Sequence, residues 1–248
     1  IVCPPKDAQI DISTLISFSS YCWHSVWVDK SGTAHAIGNN DGQIWPNLPK
    51  GILRQPTEFT VQNRNGEPCI LLSAVCGLNY TLYLISPRAA NQFPTLAFVC
   101  KLENEGQPIF LETETHHPKA LFGGSDIAAA VCDDGAVLII SRDVIKKGSG
   151  LPLIGVFPGF QIIEQVACCK SYLVALSTRG KVFISDAKSK EGISAFSEVP
   201  ELSRKICTQV SGTHEHCFVV TSNGSVFARG QNDFGKLGFD SSVTKLDE

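Results

Sequence analysis

The 248-residue sequence has no methionine, no Cys-x-x-Cys pair, no surplus of basic charge and no long uninterrupted apolar run. Each absence excludes something. A membrane-spanning helix needs about 18–20 consecutive apolar residues, and no run approaches that length. A broad nucleic-acid footprint needs excess Lys and Arg, whereas 21 basic residues here face 24 acidic ones. Neither a membrane nor nucleic acid is therefore an expected partner. Zinc sites built on closely paired cysteines are excluded by the missing spacing. The start, Ile1-Val2-Cys3-Pro4-Pro5-Lys6, shows no charged segment leading into an apolar stretch, so no signal-peptide pattern is visible. The missing methionine leads us to expect a processed or excised piece of a longer product. Charged residues make up only 18% of the chain and apolar residues 43%. That balance is wrong for a disordered chain and right for one that buries a core.

Ten cysteines are present, at positions 3, 22, 69, 76, 100, 132, 168, 169, 207 and 217. Most lie in apolar, strand-like stretches such as Ala74-Val75-Cys76-Gly77 and Val166-Ala167-Cys168-Cys169. They are expected to be buried thiols that pack as small hydrophobes, which fits a reducing compartment, cytoplasm or nucleus. The sequons Asn79-Tyr80-Thr81 and Asn223-Gly224-Ser225 fall in predicted strands or hairpins and are read as chance.

The chain repeats itself. Around His216 an apolar strand runs to Val220, turns at Ser222-Asn223-Gly224, and returns as Ser225-Val226-Phe227. The same shape recurs with turns at Gly180, Gly135 and Gly32, and in modified form around Tyr80. There the turn is replaced by a longer loop, 86–94. Aligning eight places before the turn glycine brings together His24, Tyr80, Ile127, Tyr172 and His216, spaced 56, 47, 45 and 44 residues apart. Asp134-Gly135 and Asn223-Gly224 are strong hairpin signals, because such turns need positive φ. Four short strands fit each unit, and repeated β units of this length are expected to be propeller blades. Approximate units are 16–73, 74–119, 120–164, 165–208 and 209–248.

These residues resemble the repeat of the regulator-of-chromosome-condensation family. That repeat has a small-residue segment, a His, an apolar strand, a turn Gly, a second strand and a G-x-N-x-x-G-Q-L-G stretch. The fifth unit matches best, with Gly230-Gln231-Asn232-Asp233-Phe234-Gly235-Lys236-Leu237-Gly238. The first carries the shortened Gly38-Asn39-Asn40-Asp41-Gly42-Gln43-Ile44, and units two to four lack it. The resemblance spans roughly residues 16 to 248. It implies an all-β fold, a β-propeller of which five units would form an incomplete part of a seven-bladed ring. It also gives the repeat's His position a structural role, holding a loop through hydrogen bonds.

Other motifs give way to structural readings. Gly230 to Leu237 is one residue short of a phosphate-binding loop, since Leu237 offers no hydroxyl for magnesium. His116 and His117 are adjacent and should point apart, so they make a poor metal pair. No catalytic constellation, cofactor site or metal site is expected. Function is expected on loops. Two stand out: Trp45-Pro46-Asn47-Leu48-Pro49, with Trp45 either an exposed aromatic anchor or packed between blades, and 86–94, with Arg88, Asn91, Gln92 and Phe93. The expected role is a non-catalytic protein-protein interaction scaffold within a larger multidomain protein. The alternative that the resemblance implies is a guanine-nucleotide exchange factor for a Ran-type small GTPase. Chromatin binding, a third implied role, is disfavoured by the net charge of −3.

Overall fold

The computed structural model of the chain describes residues 12–87, 92–100, 107–111, 113, 115–141, 152–186, 195–238 and 245–246. They form five four-stranded antiparallel sheets, each an up-and-down meander in chain order. The first blade is β1 (Leu15–Tyr21), β2 (His24–Asp29), β3 (Ala34–Asn39) and β4 (Ile52–Phe59). The second is β5 (Leu71–Cys76), β6 (Tyr80–Ile85), β7 (Thr95–Cys100) and β8 (Ile109–Leu111). The third is β9 (Pro118–Gly123), β10 (Ile127–Cys132), β11 (Val137–Ser141) and β12 (Leu153–Ile154). The fourth is β13 (Ile163–Cys168), β14 (Tyr172–Ser177), β15 (Val182–Asp186) and β16 (Phe196–Glu198). The fifth is β17 (Cys207–Gly212), β18 (His216–Thr221), β19 (Val226–Gln231) and β20 (Lys245–Leu246).

Each first strand packs on the first and second strands of the blade before it: β5 on β1 and β2, β9 on β5 and β6, β13 on β9 and β10, β17 on β13 and β14. The first strands therefore lie innermost. Each carries a register shift just inside its first paired residue, as between Leu71 and Ser73. Such bulges bend a strand and tighten its twist, which suits strands crowded toward an axis.

The core lies between blades. Four apolar clusters fill the four seams, and inner strands such as β6 and β10 are buried along their whole length. This explains their unbroken apolar runs: neighbours cover both faces of the sheet. Of the described cysteines, seven are buried, Cys69 is half-buried and Cys22 is exposed, and all are free thiols. Burial pushes the Cys76 and Cys132 thiols up to about 12, which makes them unreactive.

Two devices tie successive blades at opposite ends of the seam. The first is a backbone clasp. The turn glycine of one blade accepts a hydrogen bond from the opening residue of the next: Gly32 from Leu71 (2.9 Å), Gly135 from Ile163 (3.2 Å) and Gly180 from Cys207 (3.0 Å). All three glycines have φ between +73° and +82°, as the hairpin signals required. The second device is the residue aligned at the repeat's His position, which we term the latch. Tyr80 places its hydroxyl 2.8 Å from the Ile127 carbonyl and 3.0 Å from the Gly124 carbonyl, and accepts the Gly124 N–H at 3.1 Å. Tyr172 reaches the Arg229 carbonyl at 3.3 Å. The His24 ring lies buried beside the Gly77 backbone of the next blade, and its Nε2 has no hydrogen-bond partner. Ile127, which has no polar group, sits in apolar packing. The latch is thus structural, as expected: Tyr80 and Tyr172 reach forward to the next blade, whereas His216 turns back to Thr213 of its own blade, 3.1 Å from Nδ1.

The His24 latch makes stability depend on pH. His24 is only 5% exposed, and burial lowers its pKa from 6.5 to about 4, with the Gly77 backbone partly opposing. As pH falls from about 6.5 to about 4, the unfolded chain takes up a proton that the folded chain refuses. Stability is therefore full above this window and lost through it, by on the order of 3 kcal/mol at about 1.4 kcal/mol per pH unit. Urea midpoints measured from neutral pH down to this window should fall more steeply in the parent than in His24→Gln. Parallel curves would show that His24 is not the acid-sensitive group.

The G-x-N stretches of units one and five fold alike. Gly38 and Gly230 have φ of +113° and +121°, and a Cβ on either would strike a carbonyl oxygen, of Trp23 or of Glu215. Asn40 and Asn232 are fully buried. The Asn40 side-chain Oδ1 accepts the Trp45 backbone N–H at 3.2 Å, as the Asn232 Oδ1 accepts the Leu237 backbone N–H at 2.8 Å. Trp45 therefore stands in the position of Leu237, and both side chains are inside. The reading of Trp45 as an exposed anchor is corrected: it is 1% exposed, packed in the seam between the first two blades. The alternative, packing between blades, is the one observed.

Candidate functional site

Three seams carry the backbone clasp; among the described residues, the seam between the second and third blades does not. The sequence dictates this twice. The second blade has no turn glycine, because 86–94 replaces the two-residue turn. The third blade opens with Pro118, paired with Cys132 as Leu71 is with Ile85, and proline has no N–H to donate. In place of the clasp, the Phe93 ring stacks on His117, with centroids 3.3 Å apart and planes 9° from parallel.

At this end of the second blade lies a groove of about 890 Å³, reached by His117 from the entry to the third. One wall is the hairpin around Asn63 and Arg64, leading into Cys69 and Ile70. The floor is the end of β6, with Ile85, Ser86 and Pro87, together with Phe110 and Leu111 of β8. The other wall is Gln92, Phe93 and Pro94, backed by His117. The surface is mainly apolar, with Arg64, Asn63, Gln92 and Ser86 adding hydrogen-bonding groups. Phe93 is 55% exposed and Ile70 60%, so two large apolar side chains face solvent within one concave surface. A concave apolar surface with a few polar groups suits ligand recognition.

Of the residues singled out from sequence, Gln92 and Phe93 line this groove. Arg88 and Asn91 lie outside the described residues. Trp45 is buried in another seam. Ile70, Arg64 and His117 were missed. His116 and His117 do point apart: His116 Nδ1 lies 2.8 Å from the Asp134 carboxylate, whereas His117 turns to Phe93. Pro118 was the available signal, because a proline aligned with an N–H donor forbids the clasp.

No family model matches the chain. Over 86 residues it is 34% identical to "Probable E3 ubiquitin-protein ligase HERC6" of Homo sapiens, covering 31% of this chain and 8% of that protein. Over 95 residues it is 33% identical to "Inhibitor of Bruton tyrosine kinase" of Xenopus laevis, covering 35% of this chain and 7% of that protein. The chain thus spans less than a tenth of the length of these curated relatives. Among solved structures it is similar to Prp20p of Saccharomyces cerevisiae, characterised for its binding to Gsp1p and histones. The TM-score is 0.67 at 13% identity, over 90% of this chain and 58% of that one. Prp20 is the yeast RCC1. The five meandering sheets, the paired G-x-N loops and this likeness agree on the fold: the chain is an all-β propeller similar to that of the regulator-of-chromosome-condensation structures.

Proposed function

We propose that the chain is a non-catalytic protein-interaction scaffold and that the groove at the end of its second blade receives an extended segment of a partner protein. One observation carries this reading: the repeat's seam geometry is broken at this groove, and there it exposes Phe93 and Ile70 together. A rigid scaffold presenting one irregular loop cluster is the usual arrangement of a recognition site. The part-length matches to two much longer proteins support a recognition module within a larger multidomain protein. The buried free thiols support a reducing compartment, cytoplasmic or nuclear.

The test presents the immobilised chain to a library of extended peptides. Phe93→Ala and Ile70→Ser should each weaken the selected peptides about tenfold or more, the loss expected of an interface hot spot, with melting temperature unchanged. Equal binding by parent and variants would reject the groove.

The likeness to Prp20p favours testing one second reading, nucleotide exchange on a Ran-type small GTPase. Release of labelled GDP should not accelerate with this chain, because no matched loop residues support the activity. A tenfold acceleration would overturn the scaffold reading.

A further inference from the structure

Cys169 and Cys217 meet across the seam between the fourth and fifth blades. Both are buried and belong to the apolar cluster that fills this seam. Cys169 directly follows β13, three places before the Tyr172 latch, and Cys217 follows the His216 latch of the next blade. The β17 residue paired with Cys217 is Gly212. A Cβ on Gly212 would lie 2.9 Å from the Cys169 Sγ and 3.6 Å from the Cys217 Cβ, so both side chains converge on the space this glycine leaves. The Cys169 thiol also donates to the carbonyl of His216, the chain neighbour of Cys217, at 3.6 Å. Cys168, one place earlier, turns to the preceding blade and reaches the Phe122 carbonyl at 3.6 Å.

The pairing belongs to this seam. The same two positions hold Gly77 and Ala128 between the second and third blades, and Gly124 and Leu173 between the third and fourth. Those seams close without sulfur at either place, so burial alone does not call for two thiols here. The surroundings also favour reactivity. The Tyr172 hydroxyl donates to the Arg229 carbonyl at 3.3 Å, and the Arg229 guanidinium lies 5.7 Å from the centroid of the Tyr172 ring. The neighbouring Cys169 thiol, then the Tyr172 hydroxyl and the Arg229 charge, hold the Cys217 thiol below its usual range despite its burial. Contact with Cys217 and burial push Cys169 up. A thiol held toward its thiolate is the nucleophile of such a pair. Cys217 and Arg229 line a cavity of about 370 Å³ in this seam, through which a small oxidant can approach.

We propose that Cys217 and Cys169 form a peroxide-responsive dithiol that closes into a disulfide between the fourth and fifth blades. The Cys217 sulfur attacks one oxygen of hydrogen peroxide and the O–O bond breaks. The other oxygen leaves as water with the Cys217 proton, and Cys217 becomes a sulfenic acid. The Cys169 sulfur then attacks the Cys217 sulfur. The S–S bond forms, and the sulfenic hydroxyl leaves as a second water with the Cys169 proton. Two thiols are oxidised while one peroxide is reduced to two waters. The bond ties two blades covalently, and an external dithiol reverses it.

The experiment exposes the 248-residue chain to hydrogen peroxide, alkylates the remaining thiols and reads the peptides by non-reducing mass spectrometry. The expected product joins Cys169 to Cys217, is released by dithiothreitol, and forms at least as fast as the exposed Cys22 is oxidised. Its formation should raise the melting temperature by roughly 5–10 °C, as a bridge closing a long loop does. Cys168→Ala should leave the product in place. Cys169→Ser should strand Cys217 as a sulfenic acid that dimedone traps, and Cys217→Ser should remove both product and adduct. Oxidation of Cys22 while Cys169 and Cys217 stay free overturns the proposal, as does linkage through Cys168 or any other cysteine. A fall in melting temperature on oxidation overturns the tie between blades. Should the serine variants fail to fold, the parent chain and Cys168→Ala still decide the outcome.

Discussion

Trp45→Ala should lower the stability of the chain by about 3–5 kcal/mol, the range for emptying a fully buried large aromatic site. For a domain near this length, each kcal/mol moves the melting temperature by roughly 2–4 °C, so a fall on the order of 10 °C is expected. The indole packs in the seam between the first two blades beside Tyr83 and Phe59, and its edge meets His24 at a centroid distance of 5.7 Å. Removing it therefore empties a cavity and loosens the seam that also holds the His24 latch. Trp45→Leu should cost clearly less, because leucine fills the equivalent position in the fifth unit and the loop closure by Asn40 uses only the backbone N–H. Thermal melts of the two variants check both statements. If Trp45→Ala left the melting temperature unchanged but abolished partner capture, Trp45 would be a contact residue after all.

Gly135→Val should be comparably damaging, and its comparison with Gly224→Val isolates the clasp. Both glycines have φ +82°, and a left-handed backbone costs a non-glycine residue about 1–2 kcal/mol. At Gly224 that is the main cost, since a Cβ there meets open space. At Gly135 the new Cβ would lie 2.6 Å from the Ile162 Cα, in the seam with the fourth blade. Overpacking of this kind adds about 1–3 kcal/mol and pushes apart the Gly135–Ile163 hydrogen bond. Denaturant titrations should place Gly135→Val well below Gly224→Val. Equal losses would mean that the clasp contributes nothing beyond the turn.

The repeat was readable because four of the five units pair a latch-position residue with a turn glycine eight places on, and hairpin chemistry is local. What the latch touches was not readable. Tyr80 bonds across a seam to residues 44 and 47 positions later, and only the assembled blades bring them together. Trp45 was open between core and surface because Trp-Pro-Asn-Leu-Pro has the composition of an exposed loop. Superposing Gly38 on Gly230 puts it over Leu237 and decides for the core, a step that needs a gapless alignment through the glycine stretch. The groove draws on residues 63–70, 85–87, 92–95, 110, 111, 113 and 117, which come together only at the end of the assembled second blade. Its Gln92 and Phe93 were visible because a long loop replaced an expected turn. Its Ile70 looked like an ordinary strand residue, and its meaning depends on the turn it leans against.

The seam between the second and third blades is bound at one end and unclasped at the other. At one end of the strands the Tyr80 hydroxyl and the Leu78 N–H hold the turn at Gly124 and Ser125. At the other end Phe93 and His117 meet through ring faces. Between the two ends Leu82, Leu84, Leu96 and Phe98 pack against Ala128, Ala130 and Leu138 and keep the seam shut. Parting two stacked rings breaks no backbone hydrogen bond, so the end at Phe93 is where an incoming side chain meets the least resistance.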